Sequence, residues 1–149
     1  DSVLIIENED GRREVKLEDY YRDGIGIRED ELLTKIRFKK PRKSQSLSFS
    51  KLGLRKALAI SRISMANLME LDENGKILSV SMASGALGKY PLREVEVEEF
   101  LLGKVLDENT IGEALKVLQG AMDNRLGGRS TLPYKRVAVE RMLREVMEI

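Results

Sequence analysis

The densest set of potentially reactive side chains is the run of carboxylates Glu94, Glu96, Glu98 and Glu99. Converging carboxylates could ligate a metal ion. Spacings of two residues place side chains on different faces of a helix. We therefore predict a solvated acidic helix here rather than a metal site.

Two residue types that carry much of enzyme chemistry are missing, because the chain contains no histidine and no cysteine. A Ser-His-Asp triad, a cysteine nucleophile and the usual zinc sites are therefore excluded. With 5% aromatic residues and no tryptophan, platforms for stacking nucleic-acid bases are also scarce. We predict no set of catalytic residues that could act alone.

Residues 35–43 form the basic segment, with the sequence Lys-Ile-Arg-Phe-Lys-Lys-Pro-Arg-Lys. Such a cluster could contact phosphate or nucleic acid. It could equally be the solvent face of a strand on which Ile36 and Phe38 point inward, followed by a basic linker. We favour the strand, or a contact with a partner subunit, because the net charge of the chain is only +1.

The elements that position these residues belong to a chain of 149 residues, of which 42% are hydrophobic and 34% charged. This composition is typical of a soluble protein with one or two small domains. No apolar run approaches the roughly 20 residues of a membrane span, and no signal-peptide pattern is present. We expect a cytoplasmic protein that does not enter a membrane.

The first region is predicted to be rich in β-structure. Residues 2–7 and 12–17 have the pattern of a hairpin, residues 20–30 that of a loop and residues 32–38 that of a strand. The polar, proline-containing stretch at 41–46 is the best candidate for a domain boundary.

The second region is predicted to begin with three strands. Residues 47–51 alternate as a strand, and a turn is expected over residues 53–56. Two longer runs, 60–71 and 76–87, are joined by Asn74-Gly75, which is a strong hairpin signal.

Three helices are predicted to follow these strands. They are a short helix over residues 93–101 that ends near Gly103, a helix capped by Asp107 or Thr110, and a terminal helix with apolar residues at helical spacing. The predicted fold class is α+β, with an antiparallel three-stranded sheet packed on a three-helix layer. A β-rich segment precedes this domain in the sequence.

The last helix is preceded by residues 129–136, Arg-Ser-Thr-Leu-Pro-Tyr-Lys-Arg. This stretch resembles the Arg-x-Ser-x-x-Tyr-Arg signature that closes the flavin subunits of the molybdenum hydroxylase family, which includes xanthine dehydrogenase and carbon monoxide dehydrogenase. Three further blocks, at 49–60, 85–93 and 98–104, resemble blocks of the same family in the same order. The resemblance covers roughly residues 44–149.

The resemblance implies two domains. Residues 44–149 would form a CO dehydrogenase flavoprotein C-terminal-like domain, and residues 1–43 would be the C-terminal remnant of the FAD-binding domain, consisting of a hairpin and a strand. Most of the FAD site would then lie outside this chain, which would be inactive alone. In such subunits FAD takes electrons from iron–sulfur clusters and passes them to NAD or another acceptor.

The resemblance also implies partners and site residues. The partners would be a molybdenum-cofactor subunit and an iron–sulfur subunit. By position, Leu33 would pack on the isoalloxazine ring, and Lys51 would lie near its pyrimidine edge, where a positive charge stabilises reduced, anionic flavin. Arg129, Thr131 and Tyr134 would fix the last helix.

One departure from the signature concerns residue 135, where Lys135 replaces the usual arginine and cannot reproduce bidentate pairing. The alternative to the whole assignment is a non-catalytic interaction module that binds a partner protein or nucleic acid through the basic segment. Within this alternative, we expect a nucleic-acid partner less than a protein partner.

Overall fold

The computed structural model describes residues 2–53 and 60–148. The chain divides into two compact units, Asp1–Lys40 and Pro41–Ile149. Most of the turn predicted over residues 53–56 lies outside the described residues, as does the central part of the block at 49–60.

The first unit is a three-stranded antiparallel sheet of order β2-β1-β3. Its elements are β1 (Val3–Asn8), β2 (Gly11–Lys16), α1 (Leu17–Arg22) and β3 (Leu32–Arg37). The predicted hairpin and third strand are confirmed. The prediction of a loop from residue 20 is wrong at its start, because the short helix α1 extends to Arg22.

The core of the first unit is small and lies on one face of this sheet. Leu4, Ile6 and Val15 are buried, and Leu17, Tyr20 and Ile25 pack against them. β3 contributes nothing to this core, because all six of its residues are exposed. Ile36 pairs with the buried Leu4 and therefore lies on the core face, but it is 55% exposed because β3 is an edge strand that nothing covers in the described residues. Phe38 follows the end of β3 and is 69% exposed, so the prediction that it points inward is wrong.

The second unit packs a four-stranded antiparallel sheet of order β4-β5-β6-β7 against three helices. Its elements are β4 (Ser46–Gly53), β5 (Ser61–Leu71), β6 (Ile77–Gly85), β7 (Leu92–Arg93), α2 (Val95–Leu101), α3 (Glu108–Leu126) and α4 (Leu132–Met147). The α+β class is confirmed. The sheet has one strand more than predicted, the two-residue β7.

Local signals set the boundaries of these elements. Asp72 Oδ1 accepts hydrogen bonds from the backbone N–H groups of Asn74 and Lys76, both at 2.8 Å, and Gly75 takes a φ of 75°. These contacts close the predicted hairpin between β5 and β6. Asp107 caps α3 by accepting from the Thr110 N–H at 2.7 Å.

The core of the second unit lies between the helices and one face of its sheet. Strand alternation directs Ile63, Met65 and Met69 of β5 toward the helices, where they meet the apolar stripes of α3 and α4. All six methionines of the chain belong to this core: Met65, Met69, Met82, Met122, Met142 and Met147. None of the helices in the described part of the chain is long and apolar enough to cross a membrane.

Candidate functional site

The open face of the second sheet is the face of β4, β5 and β6 that the helices leave uncovered. The inner face of β4 is identified by Ser48, whose hydroxyl donates to the Val146 carbonyl of α4 at 2.6 Å, and by Ser50, which bonds Glu145. Alternation then places Leu47, Phe49 and Lys51 on the open face. Leu47 and Phe49 are 63% and 67% exposed, and Lys51 is exposed as well.

Small side chains form the floor beside Lys51 and Phe49. Lys51 pairs with Ser64 and Phe49 pairs with Ala66 on β5, and cross-strand partners share a sheet face. Ser64 in turn pairs with Gly85 on β6, where a Cβ atom would collide with the Ser64 hydroxyl. The result is a shallow surface of small side chains, with Lys51 on the edge strand β4 and exposed Arg62 two residues from Ser64 on β5.

The two residues assigned to the cofactor by resemblance lie in different units. Lys51 belongs to β4 of the second unit, whereas Leu33 belongs to β3 of the first and is 41% exposed. Both side chains are therefore accessible to a ligand or a partner. Among the described residues no cluster of three or more acidic side chains is arranged to hold a metal ion.

The turn that follows β6 is tied to the last helix by Lys135. Its ammonium group donates to the carbonyl of Ala86 at 2.5 Å, and Ala86 itself has a φ of +64°, which is uncommon for a residue with a side chain. Burial, followed by the nearby positive charges of Arg129 and Arg62, lowers the pKa of Lys135. A single carbonyl needs only one donor, so lysine can make this contact without the bidentate geometry of arginine.

A buried ion pair holds the start of α2. Arg125 of α3 contacts both oxygens of Glu94, at 2.9 and 3.0 Å, and Ser84 of β6 donates to the same carboxylate. Glu94 is only 2% exposed. The prediction of a solvated acidic helix is therefore wrong for this residue, which lies at the N-cap of α2 beneath β6.

A second carboxylate of the same run is also engaged. Glu98 accepts from the Met82 N–H at 2.7 Å and from the guanidinium of Arg93 on β7. Glu94 and Glu98 thus join α2 to β6, which is one of the three strands of the open face. The sequence pattern gave no sign of this, because the partners lie on other elements.

Side chains of the signature tie the last helix to other elements of the second unit. Thr131 is the N-cap of α4 but makes no side-chain hydrogen bond to the helix. Lys135 and Arg136 follow in the first turn of α4: Lys135 holds the turn after β6, and Arg136 forms an ion pair with Asp123 of α3. Gln119 Nε2 also donates to the Arg136 carbonyl at 3.0 Å.

Part of the basic segment is already neutralised within the chain. Arg37 contacts Glu14 at 2.5 Å, and Arg42 contacts Glu70 at 2.6 Å. Each partner lies in the same unit as its arginine. These pairs reduce the charge that the segment can offer to nucleic acid.

Comparison with other proteins finds a related sequence and solved structures with this fold. The chain is 30% identical to the nicotinate dehydrogenase FAD-subunit of Eubacterium barkeri over 98% of its own length and 51% of the relative's. Its structure matches the reconstituted CO dehydrogenase from Oligotropha carboxidovorans with a TM-score of 0.80 and 26% identity, over 96% of this chain and 50% of that one. Quinoline 2-oxidoreductase from Pseudomonas putida 86 shares the fold, with a TM-score of 0.76 at 20% identity over 99% and 54% of the two chains.

The chain thus spans about half the length of the curated relative and of the solved structures that it matches. The profile of one family, the CO dehydrogenase flavoprotein C-terminal domain, matches residues 48–149. This region holds most of the second unit, including the open face, the buried ion pair and the signature. The chain belongs to the CO dehydrogenase flavoprotein C-terminal domain family.

Proposed function

We propose that the chain is part of the FAD-binding subunit of a molybdenum-containing hydroxylase or dehydrogenase, of the type represented by xanthine dehydrogenase. Its role is to help pass electrons from iron–sulfur clusters through FAD to NAD or another acceptor. The nicotinate dehydrogenase FAD-subunit and CO dehydrogenase are the relatives that support this assignment. The open face is the observation that carries it.

The chemistry of the open face suits an isoalloxazine ring. A flat, largely apolar ring system can lie on the small residues Ser64, Ala66 and Gly85, beside the exposed side chains of Phe49 and Lys51. Bound FAD supplies the two-step electron exchange between one-electron and two-electron carriers. The cation of Lys51 favours negative charge on a ring beside it and therefore raises the affinity of that ring for electrons.

The proposed division into domains is based on similarity to the same family. Residues 44–149 are proposed as the CO dehydrogenase flavoprotein C-terminal-like domain and residues 1–43 as the end of the FAD-binding domain. Leu33, accessible on β3, is proposed to pack against the isoalloxazine ring. Since the chain spans about half the length of these FAD-subunit relatives, we propose that it holds only part of the cofactor site and has no activity alone.

The partners in this proposal are a molybdenum-cofactor subunit and an iron–sulfur subunit, in the cytoplasm. Neither redox centre can be ligated by this chain through thiolates, because it has no cysteine. The molybdenum centre and the clusters would belong to those subunits, with this chain contributing to the flavin site between them and the final acceptor.

The test is the midpoint potential of FAD in the holo-complex carrying Lys51→Met. Removal of a unit charge beside the ring should lower the potential, by an amount equivalent to about 1 kcal/mol in a surface environment. Lys116→Met is the matched control, because Lys116 is an exposed lysine of α3 in the helix layer. An equal effect of both variants, or none from Lys51→Met, would contradict the assigned role. A purified complex without flavin would contradict the function itself.

A further inference from the structure

Two arginines of the second unit lack the acidic partner that the other arginines have. Arg62 and Arg129 are exposed, and neither lies within ion-pair distance of a carboxylate in the described part of the chain. Every other arginine among the described residues forms an ion pair with an acidic side chain. Scattered exposed cations are ordinary on a protein surface. Two unpaired arginines that lie together would need a different explanation.

Both arginines lie close to Lys135, the residue that holds the turn after β6. Burial lowers the pKa of Lys135, and the positive charges of Arg129 and Arg62 lower it further. A like charge shifts a pKa in this way only from nearby. The ammonium group of Lys135 donates to the carbonyl of Ala86 at 2.5 Å, which is an uncharged acceptor. Arg62, Arg129 and Lys135 therefore form a cationic cluster that no carboxylate of the described residues neutralises.

The carboxylates of this region are engaged elsewhere. Asp123, at the end of α3, pairs with Arg136. Glu94, which accepts from Ser84 of β6, pairs with Arg125. Neither can turn to the cationic cluster without breaking an ion pair that it already makes. The positive charge of the cluster is therefore available to a ligand.

Two irregular backbone features position the cluster at one end of the second sheet. The pairing between β4 and β5 shifts between Leu52 and Gly53, and this shift leaves Arg62 as the extra residue of a β-bulge. Ala86, whose carbonyl holds Lys135, has a φ of +64°. Bulges redirect side chains beside functional sites, and backbone strain in a residue with a side chain concentrates at ligand sites. These features are independent of the charges and indicate a site at the same place.

We propose that the cationic cluster binds a phosphate group, either free or carried by a nucleotide. A phosphate monoester carries about 1.5 to 2 negative charges at neutral pH, so it matches three unpaired cations better than a carboxylate does. The planar guanidinium groups of Arg62 and Arg129 fit pairs of phosphate oxygens, and the ammonium of Lys135 adds a point charge. This inference goes beyond the proposed function and does not depend on bound flavin.

The experiment is an NMR titration of the full chain with inorganic phosphate and, separately, with AMP. Ionic strength is held constant with sodium chloride, so that general screening of charge does not change. Both probes should cause saturable shifts of the Lys135 side-chain signals. Arg62→Gln and Arg129→Gln should each weaken binding at least tenfold, and both variants should fold because the replaced side chains are exposed and unpaired. Arg141→Gln is the matched control, since Arg141 is an exposed arginine that pairs with Glu145 on α4.

The outcomes separate the source of the phosphate from the existence of the site. Tighter binding of AMP than of phosphate would identify a nucleotide as the ligand, and equal binding would identify the free anion. The absence of saturable shifts with either probe, or an equal loss of binding in Arg141→Gln, would overturn the proposal. Because this titration needs no flavin, its failure would leave the proposed function standing.

A second readout follows the charge of Lys135 itself. A bound anion favours the charged form of a neighbouring ammonium group, so saturating phosphate should raise the pKa of Lys135. The same addition should raise it less in Arg129→Gln, in which phosphate binds more weakly. A pKa of Lys135 that does not change with phosphate would overturn the proposal, because the anion would then lie outside the cluster.

Discussion

Replacing Arg125 with methionine would leave the Glu94 carboxylate inside the protein without its counter-charge. Glu94 is 2% exposed, and Arg125 contacts both of its oxygens at 2.9 and 3.0 Å. Loss of one partner from a buried pair costs about 3–5 kcal/mol, because the remaining charge is uncompensated. A quarter of the Arg125 side chain is exposed, so water can reach the vacated position, and we expect the lower end, about 3 kcal/mol.

The assay is urea unfolding of the second unit, monitored by circular dichroism. With a slope near 2 kcal/mol per molar, the midpoint should fall by about 1.5 M. Arg141→Met is the matched control, because Arg141 forms an exposed pair with Glu145 on α4 and its loss should leave the midpoint unchanged. Adding Glu94→Gln to Arg125→Met removes the orphaned charge and should recover about 1 kcal/mol or more.

A loss below about 1 kcal/mol for Arg125→Met would refute this reasoning, since the pair would then behave as a surface pair. So would a double variant no more stable than Arg125→Met. Either result would mean that Glu94 is hydrated in solution. The carboxylate would then not be the element that joins α2 to β6.

Two further substitutions test the helix cap and the acid sensitivity of the first unit. Asp107→Ala removes the acceptor of the Thr110 N–H and should lower the Tm by about 4 °C. Thr131→Ala is the control and should change the Tm far less, because the Thr131 hydroxyl makes no cap hydrogen bond. Equal shifts of the Tm in calorimetry would contradict the assignment of Asp107 as the cap. Glu31 is held by the guanidinium of Arg13 and by the Arg28 N–H, which lower its pKa to about 2. The contribution of Glu31 to stability is fully present above the ordinary pKa of 4.5 and is lost as the pH falls toward 2. The protection factors of the β1 amides, which correct for the pH dependence of intrinsic exchange, should therefore fall over that range in the wild type and change less in Glu31→Gln.

Local signals made much of this fold predictable. Asn74-Gly75 predicts the β5–β6 hairpin because few residues accept the left-handed backbone of its turn, and Asp107 predicts the start of α3 because its side chain satisfies a free N–H. The helix α1 was missed because its six residues have no side-chain cap and follow a strand without a break. The two residues of β7 are too few to show any periodicity.

The contacts that shape the candidate site could not be predicted, because they join distant parts of the sequence. Glu94 and Arg125 lie 31 residues apart, and Lys135 and Ala86 lie 49 apart. A charge pattern along the chain identifies neighbours on one helix but not partners on another element. The open face was only partly predictable. Alternation along β4 predicts which residues of that strand share a face with Lys51, but the register that brings Gly85 of β6 onto the same face is not visible in the sequence.

The methionine-rich core makes the oxidation of this protein a measure of its opening. All six thioethers lie among the residues of the second core that are at most 2% exposed, so peroxide cannot reach them in the closed state. Conversion to the polar sulfoxide would be incompatible with that packing. Formation of a methionine sulfoxide therefore requires an event in which the second unit opens, and its rate reports on such openings without any added label.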